Sequence, residues 1–113
     1  MNYMLLIYHD EQHANKASGC DGLAERLIES GQFVAGGILH PTPAATSLRM
    51  RGGKRLVTDG PFAETREQLA GYLLIEAADL DDALTVAEQH PVAAYGTVEI
   101  RPLLADAAET TGL

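Results

Sequence analysis

Between two apolar runs the chain carries Thr58-Asp59-Gly60-Pro61-Phe62-Ala63-Glu64-Thr65-Arg66-Glu67-Gln68, which combines two turn formers, three carboxylates and a guanidinium. Asp59 is the first candidate for chemistry. Directed toward an apolar face, its carboxyl would be desolvated and could serve as a general acid or base. The competing reading is that Asp59 caps the turn by accepting from the amides after Gly60. Arg66, Glu64 and Glu67 could form an ion-pair network around Asp59, or clamp an anionic ligand through the planar guanidinium fork; otherwise they are solvated loop charges. Phe62 reads as a hydrophobic anchor for the loop, with a ring also able to stack on a ligand. Glu99 and Arg101, polar residues near the end of the chain, would complete a small-molecule cleft with Asp59, Arg66 and Glu64.

These residues have to be positioned by the elements around them. Asn2 to Tyr8 is apolar on both alternating faces, as is Leu69 to Ile75, which is the pattern of inner strands covered on both sides. From Asp21, a candidate N-cap, the stripe Leu23, Ala24, Leu27 and Ile28 predicts a helix that Gly31 stops. Phe33 to Leu39 reads as a strand in which Gly36-Gly37 signals a bulge or a close backbone approach. Thr46 to Arg51 and Lys54 to Thr58 flank Gly52-Gly53, the pattern of a tight hairpin. In that register Leu48 faces Val57 and Met50 faces Arg55, and continuing the pleat puts Asp59 on the face of Leu48 and Val57, toward the more apolar side. Asp79 opens a second helix with Asp82 at its third position, and Pro91 closes it. Tyr95 to Arg101 alternates as a last strand, and the tail after about residue 104 reads as loose. This order predicts an α+β fold, a ferredoxin-like sandwich with an inserted β-hairpin, in one domain over residues 1–113. Two helices cover one face of such a sheet, so the other is expected to be buried by a second copy in a homodimer.

Composition narrows the function. The 113 residues carry a formal net charge of −8, and the eight Lys and Arg are scattered, which argues against nucleic acid and anionic membrane surfaces as partners. No apolar run is long enough to span a membrane and the first residues lack a basic leader, so a cytoplasmic location is expected. The single Cys20 is expected to stay a thiol. His9 and His13 would make a metal pair only on a helix, and the segment reads instead as a solvated loop, so neither a metal nor a cofactor is expected. His40 reads as a satisfied or exposed histidine at the mouth of a cleft. His90 stands at the end of the second helix, where the dipole should favour its protonated form. The sequence holds no phosphate-binding loop, dinucleotide fingerprint or serine nucleophile elbow.

The order Asp59-Gly60-Pro61-Phe62-Ala63-Glu64-Thr65, then a basic residue and Glu67, then Leu69 to Tyr72, resembles the signature of the DGPF branch of the YCII-related proteins. The resemblance extends to Tyr3 through Tyr8, Gly36-Gly37, Asp79 through Leu84, and Val98-Glu99-Ile100-Arg101-Pro102. It implies a dimeric α+β barrel. In the wider group a His on the first helix and an Asp before a Pro resemble a catalytic pair; here the helix Asp21 to Ser30 has no His, and His90 precedes Pro91, so that pair is not retained. Two functions follow as expectations: a small molecule bound or transformed near the Asp59 loop, or a non-catalytic regulatory module associated with an extracytoplasmic-function sigma factor, as DGPF proteins commonly resemble. Whether the chain is an enzyme stays open between them.

Overall fold

In the computed structural model, which describes residues 1–12 and 22–106, the opening apolar run forms β1 (Asn2–Asp10), an inner strand flanked by β5 (Glu67–Glu76) and β6 (Thr97–Pro102). β2 (Phe33–Ile38) adds to the far side of β5, giving the order β2-β5-β1-β6 with every neighbouring pair antiparallel. With α1 (Leu23–Glu29) and α2 (Leu80–Ala87) the chain is a small α+β fold, a mostly antiparallel sheet with two helices. Neither helix is long and apolar enough to cross a membrane.

Alternation along β1 sorts its side chains. Tyr3, Leu5 and Ile7 join Leu73 and Ile75 of β5 beneath Leu23 and Leu27 of α1, Ala83, Val86 and Ala87 of α2, and Val92. Leu5 and Ile75 are fully excluded from solvent, each burial contributing roughly 1.5–3 kcal/mol. Met4, Leu6 and Tyr8 point the other way, to a face that neither α1 nor α2 covers, and are only half-buried.

The cap of α2 and the glycine stop of α1 act as read, whereas the N-cap position of α1 is Gly22, which supplies no side-chain cap. Asp79 caps α2, its carboxylate accepting from the Asp82 amide at 2.9 Å, while Asp82 accepts in return from the Ala78 amide at 2.9 Å. Gly31 follows α1 in the left-handed region at φ 78° and donates to the Ile28 carbonyl. The Asp21 cap, His13 and Cys20 lie outside the described residues, as does the tail from residue 107.

β3 (Thr46–Arg51) and β4 (Lys54–Asp59) form a two-stranded sheet of their own, paired from Thr46 with Asp59 to Arg51 with Lys54. Gly52 and Gly53, at φ 56° and 77°, supply the two left-handed residues that a two-residue turn of this kind requires. The register is the expected one, Leu48 opposite Val57 and Met50 opposite Arg55. The environment is not. The hairpin leaves the sheet, so Leu48, Met50, Leu56 and Val57 are exposed, and the face that Asp59 shares with Leu48 and Val57 is open to solvent.

Candidate functional site

The cavity of the fold starts from a slip in strand pairing. Ile7 lies opposite Gly71 but Tyr8 lies opposite Leu69, leaving Ala70 as an extra residue in β5, a bulge whose carbonyl accepts from the Leu39 amide at 2.8 Å. Next to it the sheet carries little side-chain bulk. A Cβ on Gly71 would stand 2.8 Å from the Gly37 carbonyl oxygen, and one on Gly36 would stand 2.9 Å from Leu73 Cδ2. Over this glycine floor, between the sheet and Ala24 of α1, lies a cavity of about 220 Å³, walled by Ile7, Phe33, Leu73 and Val92 with His9 and His90. An apolar cavity of roughly 150 Å³ is enough to take up benzene, so this one has room for a single ring with a short substituent.

Both histidines are buried, 5% and 8% exposed, and each is fixed by a backbone group. His9 continues the inward alternation of Tyr3, Leu5 and Ile7 to the end of β1. Its Nδ1 lies 3.0 Å from the carbonyl oxygen of Asp10. A carbonyl can only accept, so Nδ1 is the donor of this bond. The His9 ring also meets Tyr95, with centroids 6.4 Å apart and tilted by 57°. His90 has the opposite arrangement. It caps the 3₁₀ turn Pro91–Ala94, its Nδ1 accepting from the Val92 amide at 3.1 Å, which places its proton on Nε2. Burial holds the His90 pKa below the ordinary histidine value and keeps the ring neutral. That corrects the expectation of a protonated His90 at the end of α2: the ring is turned into the fold, where desolvation outweighs a helix-end dipole. His9 is corrected as well, from a loop residue to a buried strand residue.

The residues singled out in the sequence do not converge on this cavity. Asp59 is exposed at the end of β4, and among the described residues no hydrogen bond reaches its carboxylate. The turn after it is held instead by Ser47 Oγ donating to the Gly60 carbonyl at 2.8 Å and by the Gly60 amide donating to Ala45 at 2.7 Å. Phe62 is 80% exposed. Arg66 reaches Asp10, with Nε 3.5 Å from Oδ2, and lines with Glu64, Thr65 and Gln68 a polar depression of about 490 Å³. Glu99 and Arg101 stand 3.9 Å apart on β6, on the sheet face away from the helices. There Glu99 hydrogen-bonds Tyr8, whose pKa is raised first by burial and then by that carboxylate.

A model of the YCII-related domain matches residues 1–105. The chain belongs to the YCII-related family. A relative named uncharacterized protein R00369, from Rhizobium meliloti (strain 1021), is 38% identical over 114 aligned positions, covering 91% of this chain and 92% of its own length. In this YCII-related protein the described α1 carries no histidine and the residue before Pro91 is His90. Among the described residues no three His, Cys, Asp or Glu side chains are gathered as a metal would need.

The sequence did hold two signals for the cavity. An isolated Gly71 inside the apolar run of β5 marks a bulge or a close backbone approach, and both occur there. Strict alternation carried two residues beyond Ile7 puts His9 on the buried face. The polar depression is the wider of the two hollows, but several of its groups are already paired: Arg66 with Asp10, Glu11 with the Thr42 amide at 2.7 Å, and Gln68 Nε2 with the Thr65 carbonyl at 2.9 Å. It reads as a loop junction held by its own hydrogen bonds.

Proposed function

We propose that this YCII-related protein binds a small, uncharged, mainly apolar molecule in the cavity between the sheet and α1. The observation that carries this reading is an apolar hollow over Gly36 and Gly71 with two fixed imidazoles as its polar groups. Among the described residues no Asp, Glu, Lys or Arg lines the cavity, so a charged ligand would lose its hydration without gaining a counter-ion from them. Titration with indole, followed in amide NMR spectra, tests it. The amides of Gly36, Gly71 and His90 should shift saturably while those of Thr58 and Asp59 stay in place, and Ala24→Leu should abolish the effect by filling the space. Unmoved cavity amides would overturn the reading.

A second reading concerns assembly. The strand order is that of a ferredoxin-like sandwich, and Met4, Leu6, Tyr8 and Tyr72 are half-buried on the helix-free face while the hairpin exposes Leu48, Met50, Leu56 and Val57. These surfaces support a homodimer joined through the sheet, a dimeric α+β barrel. A regulatory role beside a sigma factor would use the same exposed hairpin. Light scattering separates the two: a dimer at micromolar concentration supports self-assembly, and a monomer overturns it.

A further inference from the structure

The hairpin has a second face. Leu48, Met50 and Val57 share one side of it, and by the pleat Arg49, Arg51, Lys54 and Leu56 share the other, with Arg49 opposite Leu56 and Arg51 opposite Lys54. Folding concentrates charge here: residues 30–58 hold four of the eight Lys and Arg, namely Arg49, Arg51, Lys54 and Arg55, and no carboxylate. All four are exposed, and among the described residues none is ion-paired. The Arg51 guanidinium donates only to the neighbouring Met50 carbonyl, at 2.9 Å. Like charges directly across a strand pair are destabilising, and a two-stranded hairpin alone in water is marginal. Arg51 beside Lys54 therefore marks a face that is relieved by anions.

The chain supplies the matching surface itself. Residues 67–100 carry seven carboxylates and no Lys or Arg. On α2, burial of Ala83, Val86 and Ala87 turns Leu80, Asp81, Leu84 and Glu88 outward, and all four are exposed. One surface is thus Leu56 among three cations, and the other is Leu80 and Leu84 between two carboxylates. Their spacings agree as well. Asp81 and Glu88 lie about 10 Å apart along a helix, Arg49 and Arg51 about 7 Å apart along a strand, and long arginine side chains span the difference. Among the described residues no ion pair joins the two surfaces within one molecule. We propose that the cationic face of the hairpin docks on the outer face of α2 in a second copy of this chain, Arg49 and Arg51 pairing with Asp81 and Glu88 around a contact of Leu56 with Leu80 and Leu84. The contact is made twice when two copies exchange hairpins about a two-fold axis. At physiological ionic strength the Debye length is about 8 Å, so the net charges of the two copies are largely screened while pairs in contact are not. An extended polyanion such as DNA would instead lie along the acidic remainder of the molecule.

This inference is independent of the cavity, and it uses the hairpin face opposite Leu48 and Val57, so it does not require the dimer joined through the sheet. Light scattering on the full chain at about 50 μM compares about 0.15 M with about 1 M NaCl, where the Debye length falls to about 3 Å. The mass should fall about twofold at high salt as the exchanged hairpins part. A dimer joined through the apolar sheet survives high salt, which tells the two assemblies apart. Arg49→Glu/Arg51→Glu and Asp81→Lys/Glu88→Lys, all at exposed positions, should each lose the salt-dependent step, and an equimolar mixture of the two variants should regain it. That mixture carries the same total charge as two unaltered copies, so its recovery reports the pairing and not general repulsion. A mass indifferent to salt, or a mixture that stays apart, overturns the proposal. So does a DNA duplex or a phosphatidylglycerol vesicle that binds the parent chain, fails to bind Arg49→Glu/Arg51→Glu, and leaves the mass indifferent to salt, a result that would give this face to phosphate.

Discussion

Replacing Gly96 with Ala should be among the most damaging small changes in this chain, although the residue is neither fully buried nor in the left-handed region. A Cβ there would lie 2.3 Å from the Tyr8 carbonyl oxygen, 2.8 Å from Val92 Cγ1 and 3.2 Å from His9 Cβ. Carbon atoms meet comfortably at roughly 3.5–4.0 Å, so the backbone has to part by about 1 Å where β6 begins beside β1. The Tyr8 oxygen is main-chain and cannot rotate away. The Gly96 amide is also committed, donating to the Val92 carbonyl at 2.6 Å. Overpacking typically costs about 1–3 kcal/mol, and a backbone clash belongs at the upper end, near 3 kcal/mol of a total of roughly 5–15. At about 4 °C per kcal/mol the melting temperature should fall by roughly 10 °C. Urea denaturation followed by circular dichroism measures it, as a lower midpoint at unchanged slope. Gly31→Ala is the control: its Cβ would meet nothing within 4 Å, so only its φ of 78° is penalised, about 1–2 kcal/mol. A Gly96→Ala protein that loses less than Gly31→Ala would refute the close-approach argument.

Leu5→Ala, at a position fully excluded from solvent between Leu73 and Ile100, should cost about 2–5 kcal/mol in the same urea assay. Two aspartates should behave in opposite ways: Asp79→Ala loses a helix cap and about 1 kcal/mol, whereas exposed Asp59→Ala should stay within about 0.5 kcal/mol of the parent. A large loss at Asp59 would restore it as the anchor of its loop. Burial lowers the His90 pKa in the folded chain, so below about pH 6.5 the unfolded state binds a proton that the native state does not until lower pH. Its contribution is therefore intact above about 6.5, and native stability should fall as pH drops from there toward the native pKa. His90→Asn, whose side-chain oxygen can still accept from the Val92 amide, should flatten that part of the profile, and an unchanged pH profile would refute the assignment.

Much of this fold was legible because its signals are local. Gly52-Gly53 sets the hairpin register through two backbone conformations, and Asp79 with Asp82 caps α2 within four residues. Periodicity likewise identified β1 and β5 as inner strands. What it cannot supply is which face a neighbour covers. The pleat correctly grouped Asp59 with Leu48 and Val57, yet the hairpin departs from the sheet, so the apolar side is the exposed one. The site was missed for a related reason. The polar neighbours Asp10 and Glu11 suggest a loop at His9, whereas pairing of β1 with the distant β5 holds it in the sheet; His90 follows a helix end, yet its ring is turned inward to accept from the Val92 amide. The cavity itself depends on Gly71 meeting the Gly37 backbone across a strand pair, and only the register of β2 against β5 reveals that meeting.

The central place of β1 has a consequence for how the protein is made. This strand leaves the ribosome before the others, but its sheet partners are β5 and β6, and its nearest pairing in sequence, Asp10 with Glu67, spans more than fifty residues. At synthesis rates of roughly 5–20 residues per second, its two apolar faces wait about 3–10 s for a partner. During that interval the nascent segment is a natural client for a chaperone. With pairings this distant, loop closure rather than helix formation should limit the rate, as in other topologies of high contact order. Substitutions in β1 and β5 should then slow refolding, while those confined to α1 or α2 should chiefly speed unfolding, a division that stopped-flow kinetics can read directly.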